Sequence, residues 1–265
     1  MSLRSDISVP RPVRVSGTGP ARGCVIGGAG SAGWAARRDC QGSRSDVDGG
    51  LVGSRVEAVV APRGVVDLRG QAGAGFVAAY PVGAVVVVSG LPGAGKSTLL
   101  RRWSGPAVRS VDPRTVHEAC EAVMPDRLPY AVYRPWARLE HFRLLRASVR
   151  RGGPLLVHDC GSRAWMRRWL AREAGRRGRE LHLVLLDVGA DTALDGQRAR
   201  GRHASARVFA RHHRGLEQLL AAFTRHVRAG GPLPTPEASS VLLLDAVSRS
   251  RAEAVRFGPE DGPQR

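Results

Sequence analysis

The chain has 265 residues, of which 43% are apolar and only 5% aromatic, and a formal net charge of +18. That length allows one ample domain or two small ones, with a core packed from aliphatic side chains and alanine. No stretch approaches the ~18 uninterrupted apolar residues of a membrane-spanning helix, and no compact apolar segment precedes a small-residue cleavage site at the N-terminus. Cys24, Cys40, Cys120 and Cys160 form no C-x-x-C pair, so free thiols and a cytoplasmic location are expected.

Residues 1–80 are rich in Gly, Ser, Arg and Val, with Pro10, Pro12, Pro20 and Pro62. No helical period of useful length survives there, and a largely disordered, low-complexity extension is expected. Within it, Gly28, Gly30 and Gly33 match G-x-G-x-x-G. A dinucleotide site needs a strand, a helix and an acid about 20 residues on. Asp46 and Asp48 lie in range, but no βαβ unit surrounds them, and a glycine-rich stretch makes the pattern by composition alone.

Residues 81–257 read as one domain in which strands and helices alternate. The β-branched run at 84–88 has the form of a parallel strand buried on both faces. Gly90-Leu91-Pro92-Gly93-Ala94-Gly95-Lys96-Ser97 follows and fits G-x-x-x-x-G-K-[ST], and Lys96 is the only lysine among 41 basic residues. The spacing has a chemical reason. Glycines let the backbone turn its N–H groups inward onto phosphate oxygens, and the positive end of the next helix adds to them. Lysine reaches the outer phosphates, and Ser97, with Thr98 beside it, offers a hydroxyl to Mg²⁺.

A helix should follow at 98–103, then a short strand at 107–111 ending in Asp112. Helices are expected at 114–123 and 134–151, a third strand at 154–158 ending in Asp159, and a helix at 163–177. A fourth strand at 181–186 ends in Asp187. Helical stretches flank the arginine cluster at 198–211, and a fifth strand at 240–244 ends in Asp245. A last helix at 248–256 precedes a tail at 258–265. The fold class is therefore α/β: a P-loop NTPase with a five-stranded parallel sheet, helices on both faces and an arginine-rich lid. Ligands of open α/β sheets bind at the carboxyl ends of the strands, so the four aspartates point toward the loop's side. Asp187 and Asp245 read as helix caps or turn formers, Asp112 and Asp159 as functional acids.

This order of strand, phosphate loop, two strand-end aspartates and late arginine cluster resembles the P-loop kinases of the adenylate-kinase-like type. The nearest group is often labelled AAA-family ATPase or predicted kinase. It is related to polynucleotide 5′-hydroxyl kinases and, more loosely, to zeta toxins and chloramphenicol phosphotransferases. The resemblance spans about 83–256. It implies ATP bound by Gly90, Gly93, Ala94, Gly95, Lys96, Ser97 and Thr98, and Mg²⁺ held by Ser97 and Asp159. It also implies Asp112 as general base, with Lys96, Arg198 and Arg202 stabilising the transferred charge. Arginine forks suit phosphate, and residues four apart share a helix face unless Gly201 breaks the helix. Two departures stand out. Thr115 occupies a position where the family places arginine, with Arg114 one step earlier. Cys160-Gly161-Ser162 replaces the family's usual sequel to its second acid.

Most of the charge lies in the loop-bearing part: residues 81–265 hold 31 basic and 17 acidic residues. Such a surface suits nucleotides and nucleic acid, and arginine-rich codon bias produces the same surface without a partner. His203, His212 and His213 read as exposed helix positions, and no spacing suggests a structural zinc site. No second lobe or sensor-arginine pattern of a ring-forming motor is recognisable. The leading expectation is an ATP-dependent phosphotransferase acting on a hydroxyl of a polynucleotide end, a nucleoside or another small molecule. The alternatives are a slow ATPase that works as a regulatory switch and a basic nucleic-acid-binding module. The acceptor should be chosen by 116–151, where Tyr130, Tyr133, Arg134, Trp136, His141 and Phe142 either stack on a base or serve as the core of an amphipathic helix pair.

Overall fold

The computed structural model describes residues 58–125, 128–159, 163–201 and 205–258. The glycine motif at 28–33, Cys160–Ser162, Arg202 and His203 lie outside them. The strands are β1 (Ala58–Val60), β2 (Gly64–Asp67), β3 (Phe76–Pro81), β4 (Val85–Gly90), β5 (Arg109–Val111), β6 (Leu155–His158), β7 (Leu181–Leu186), β8 (Ser240–Leu244) and β9 (Ala252–Gly258). The helices are α1 (Lys96–Trp103), α2 (Pro113–Val123), α3 (Tyr130–Arg151), α4 (Ala164–Gly175), α5 (Ala190–Arg198), α6 (Ala206–Ala229) and α7 (Ala246–Arg251).

The continuous apolar runs form a six-stranded sheet in the order β2-β8-β7-β4-β6-β5, parallel throughout. Every residue of β4, β7 and β8 is buried, as expected of strands covered on both faces. From β4 the chain steps outward to β5, returns through β6, and crosses to β7 and β8 on the other side. Crossovers between parallel strands are right-handed as a rule, so the reversal of direction after β5 should put α1 on one face and the helices of the returning steps on the other. The reversal at β4 makes its carboxyl end the topological switch point, where open α/β sheets bind ligands.

All five expected strands are present, and the structure adds to them. The boundary expected at residue 81 falls too late, because β1, β2 and most of β3 come from the segment read as low-complexity. β2 extends the main sheet beside β8, making it six-stranded. β1, β3 and β9 form a second, three-stranded parallel sheet. The helix expected at 248–256 ends at Arg251, and the chain continues as β9. Pairing with β3 decides this segment, since strand preference depends on neighbours more than on sequence alone. The second sheet lies against α1: Trp103 Nε1 donates to Ala252 O at 3.2 Å and Arg102 Nη1 to Ser250 O at 2.9 Å. Tyr80 of β3 is buried, its ring 5.0 Å from His182 of β7.

One arginine fastens β2 to the sheet. Arg69 Nη2 reaches Asp67 Oδ2 at 2.6 Å, and its Nη1 reaches Asp187 Oδ2 at 2.9 Å. Asp245 accepts from Gly70 N at 2.7 Å and caps α7 through Ser248 N, also at 2.7 Å. The expected cap at Asp245 is therefore present, whereas Asp187 is an ion-pair partner.

Replacing Arg69 by alanine should lower the unfolding free energy by about 2 kcal/mol at neutral pH, because it leaves partly buried carboxylates unpaired. The Arg69 hydrogen bond holds the Asp67 carboxyl below its ordinary value. That stabilisation is complete above the unfolded carboxyl pKa of ~4 and is lost as pH falls through the lower folded value. Denaturant unfolding at neutral and strongly acidic pH checks this: the variant's deficit should shrink in acid. An equal deficit at both would mean that Arg69 acts by packing alone.

Candidate active site

β4 delivers the loop, and its carbonyl oxygens are taken one after another by side chains. Lys96 Nζ donates to Gly90 O and Leu91 O, each at 2.8 Å. Gln197 Nε2 donates to Pro92 O at 3.1 Å, Arg200 Nη2 to Gly93 O at 3.3 Å, and Arg249 Nη1 to Ala94 O at 2.6 Å. Five successive carbonyls are thus engaged by donors from α1, the end of α5 and the turn after it, and α7. With these acceptors tied, the loop's N–H groups can serve a ligand, apart from Ala94 N, which donates to Leu91 O at 3.0 Å. α1 starts at Lys96 with Gly95 as its cap, no side-chain cap bond and no acid in its first turn, so its positive end is open to an anion.

Gly93 is needed for two reasons. Its φ is +96°, in the region that glycine tolerates. Its Cα also faces α5 so closely that a Cβ would overlap Ala193 O, and a Cβ on Gly196 would in turn overlap Gly93 O. Lys96 is only 5% exposed. Its ammonium folds back on the loop carbonyls, which offset the cost of burying its charge.

Beside the loop, strand register gathers three side chains. Val88 of β4 lies opposite His158 of β6, and Val111 of β5 lies opposite Val157, so Asp112 and His158 are neighbours at the carboxyl edge. His158 Nδ1 is 2.9 Å from Asp112 Oδ2, and Ser97 Oγ donates to the same oxygen at 3.1 Å. Asp112 Oδ1 accepts from Arg114 N at 2.9 Å and caps α2. Burial works against ionisation of Asp112. The hydrogen bond and charge of His158, the Arg114 N–H and the Ser97 hydroxyl outweigh it and hold the carboxyl down to about 2. Asp112 is therefore both a helix cap and a member of the site.

The remaining expected residues divide. Asp159 is buried at the end of β6, and its N–H donates to Val88 O at 3.0 Å. Its charge acts on both His141 and His212. Thr98 opens α1 beside Ser97. Arg198 is not brought to the loop: it is 68% exposed and pairs with Asp195 at 2.7 Å. Arg200, two residues on, is the arginine of this stretch that reaches the loop, through Gly93 O at 3.3 Å. Arg114 pairs with Glu118 at 2.7 Å on an exposed face. Among the rings of 116–151, Tyr133 packs with Val116, Cys120 and Ala137. Phe142 packs on Trp169 at 5.3 Å, and Trp136 is exposed. For Tyr133 and Phe142 the core reading holds. His213 pairs with Glu217, while half-buried His212 lines a cavity.

Reading the sequence missed Gln197, Arg200, Arg249 and His158. Arg200 stands in the arginine cluster at 198–211 and Gln197 borders it, so the region is signalled without the right members. His158 immediately precedes a singled-out acid. Nothing in the sequence marks Arg249 among 40 arginines.

Gly93→Ala should weaken nucleotide binding at least tenfold and cost about 2–4 kcal/mol of stability, from positive φ and the overlap with α5 together. Calorimetric titration with ATP and thermal unfolding check this. Parental affinity in the variant would show that the loop and α5 separate freely.

A family model described as AAA domain (AAA_33) matches residues 85–226. No curated protein matches the chain. Among solved structures, the tunicamycin resistance protein of Deinococcus radiodurans is 18% identical over 64% of this chain and 91% of that one, with a TM-score of 0.41. The PezAT toxin–antitoxin system of Streptococcus pneumoniae gives 14% identity over 69% and 72%, with a TM-score of 0.45. Kti12 of Chaetomium thermophilum, in complex with ADP-AlF3, gives 20% identity over 63% and 94%, with a TM-score of 0.35. The family match takes in more than half of the chain, from β4 and its loop to α6, and by it the chain belongs to the AAA domain family as a P-loop kinase-like enzyme.

Proposed function

We propose that this enzyme transfers the γ-phosphate of ATP to a hydroxyl acceptor. The observation that carries the reading is the meeting of Ser97, Asp112 and His158 beside the lysine-bearing loop. ATP would lie along the loop, its phosphates held by the backbone N–H groups and the amino end of α1. Lys96 would exchange the carbonyls of Gly90 and Leu91 for phosphate oxygens.

The residues present fit Mg²⁺. Ser97 Oγ and the carboxylates at the ends of β5 and β6 are hard oxygen donors, and Mg²⁺ is commonly held by one or two carboxylates with phosphate and water. Among the described residues, no group of three His, Cys, Asp or Glu side chains can hold a metal unaided. That suits a cation shared with the substrate. Ser97 and Asp159 would hold it, and when bound it neutralises charge on the β- and γ-phosphates.

In the transfer, the acceptor oxygen forms a bond to the γ-phosphorus as the bond from that phosphorus to the β,γ-bridging oxygen breaks. ADP leaves, and the acceptor's proton passes to Asp112. A carboxylate held near pKa 2 is a weak base. Asp112 therefore orients the hydroxyl first and takes the proton late, which suits a loose transition state in which positioning supplies most of the catalysis. His158 keeps Oδ2 in place. Lys96, with Arg202, would balance charge on the transferred group, while Arg200 keeps its bond to Gly93 O.

A screen with γ-labelled ATP over 5′-hydroxyl oligonucleotides, nucleosides and small hydroxyl compounds tests the reading. Asp112→Asn should lower transfer about 100-fold or more while ATP still binds, and Lys96→Ala should abolish it. Full transfer by either variant would sink the assignment. Hydrolysis of ATP with no transfer to any compound, unchanged in Asp112→Asn, would favour the ATPase switch.

A further inference from the structure

A second cavity-bearing region lies on the same side of the sheet. It has a volume of about 390 Å³, and its walls carry Arg134, Arg163, Arg211, Arg214, His212 and Gln218, with no acid among the lining residues. The topology places it at the carboxyl edge. Arg163 caps α4 just beyond the end of β6. α3 and α6 run toward the amino ends of β6 and β8, so Arg134 and the 211–218 stretch, in their leading halves, stand near the opposite, carboxyl end. Two charges of the reaction centre, Lys96 and Asp159, act on His212.

Four guanidiniums around one cavity repel one another. Among the described residues, none of these four arginines forms an ion pair with a carboxylate, although arginines elsewhere in the chain do so at Arg69, Arg114, Arg143, Arg146, Arg167, Arg176 and Arg198. Compositional bias explains the number of arginines but not a cavity lined by four of them with no carboxylate among its lining residues. A bound anion would complete the arrangement, and the planar forks match phosphate or carboxylate oxygens in pairs.

We propose that the acceptor is a small hydroxyl compound that already carries an anionic group, a phosphate monoester or a carboxylate, and that Arg163 and Arg211, with Arg134 and Arg214, hold that group. This rests on the phosphotransferase reading for the word acceptor, whereas the anion site itself stands on the cavity. The volume suits a compound of metabolite size. The anion anchors one end, and the hydroxyl reaches Asp112 at the other.

The experiment titrates the full chain, saturated with a non-hydrolysable ATP analogue and Mg²⁺, with inorganic phosphate and separately with acetate. With the loop filled, at least one anion should still bind, and Arg163→Gln with Arg211→Gln should weaken it tenfold or more. Arg211 is exposed and Arg163 half-exposed, so the double variant should fold, and its thermal unfolding checks that it has. Anion binding that the analogue abolishes, or that the two substitutions leave unchanged, would overturn the proposal.

Transfer is then compared over pairs of hydroxyl compounds with and without a phosphate monoester or carboxylate. The anionic member should show a KM at least tenfold lower, and the double variant should lose that preference. Preference for the neutral member overturns the proposal. So does selective transfer to single-stranded oligonucleotides with affinity falling steeply with salt, which would assign the cavity to nucleic acid. Arginine-dependent anion binding with no transfer to any compound would keep the anion site, overturn its role for an acceptor and sink the phosphotransferase reading separately.

Discussion

The site depends on the occupation of the loop's carbonyl oxygens. A chain segment that binds phosphate through N–H groups must send its carbonyls elsewhere, because each carbonyl turned inward would repel the ligand. Here Lys96, Gln197, Arg200 and Arg249 take the carbonyls from Gly90 through Ala94. Three of the four donors come from α5, the turn after it and α7, all far away in sequence. The shape of the loop is therefore a tertiary property, and the elements that follow β7 and β8 are part of the nucleotide site without touching the loop's phosphate face. Were Lys96 to move to a phosphate, as proposed, Gln197, Arg200 and Arg249 would still hold the curl.

Register supplies the second half of the site. Asp112, Ser97 and His158 come from three different stretches, and they meet because β5, β6 and β4 are neighbouring parallel strands, with Val111 opposite Val157 and Val88 opposite His158. A slip of one residue in β6 would exchange His158 with Asp159 and turn side chains to the other face. The burial of β6 and β4 on both faces fixes the alignment. The same alternation separates the two: His158 turns toward Asp112, and Asp159 follows one residue later.

The five central strands and the loop were legible because their signals are local: continuous apolar runs and a fixed glycine–lysine spacing. β2, β3 and β9 were not. They lie in or beside stretches without a strong local pattern, and what makes them strands is a neighbour: β8 for β2, and β3 and β9 for each other. The lid arginines show a similar limit. Pairing Arg198 with Arg202 assumed a helix through both, but α5 ends at Arg198 and the chain turns at Gly201 with φ +60°. The turn sends Arg200 to the loop and leaves Arg198 on Asp195 in solvent. Asp112 was legible as important, although its hydrogen bond from Ser97 places it nearer the loop's hydroxyl than an acceptor-side base alone would require.

The contrast between 40 arginines and one lysine can now be stated in terms of contacts. Arginine serves this chain as a fixed fork. Arg69 spans two aspartates, and Arg179 spans the carbonyls of Gly83 and Val149, each at 2.6 Å, and that of Gly153. These are static bridges, and a planar group with several donors suits them. The residue at position 96 has a different task. Its charge sits in a buried space on two adjacent carbonyls, and in the proposed reaction it would turn to phosphate oxygens while the loop keeps its curl. An ammonium is compact, donates in any rotational setting and sits on a flexible stem. A guanidinium has one plane, and filling the same space would push against Gly90 and Leu91. The bulk composition can drift toward arginine wherever a bridge is wanted. Where a buried cation would have to change partners, lysine remains.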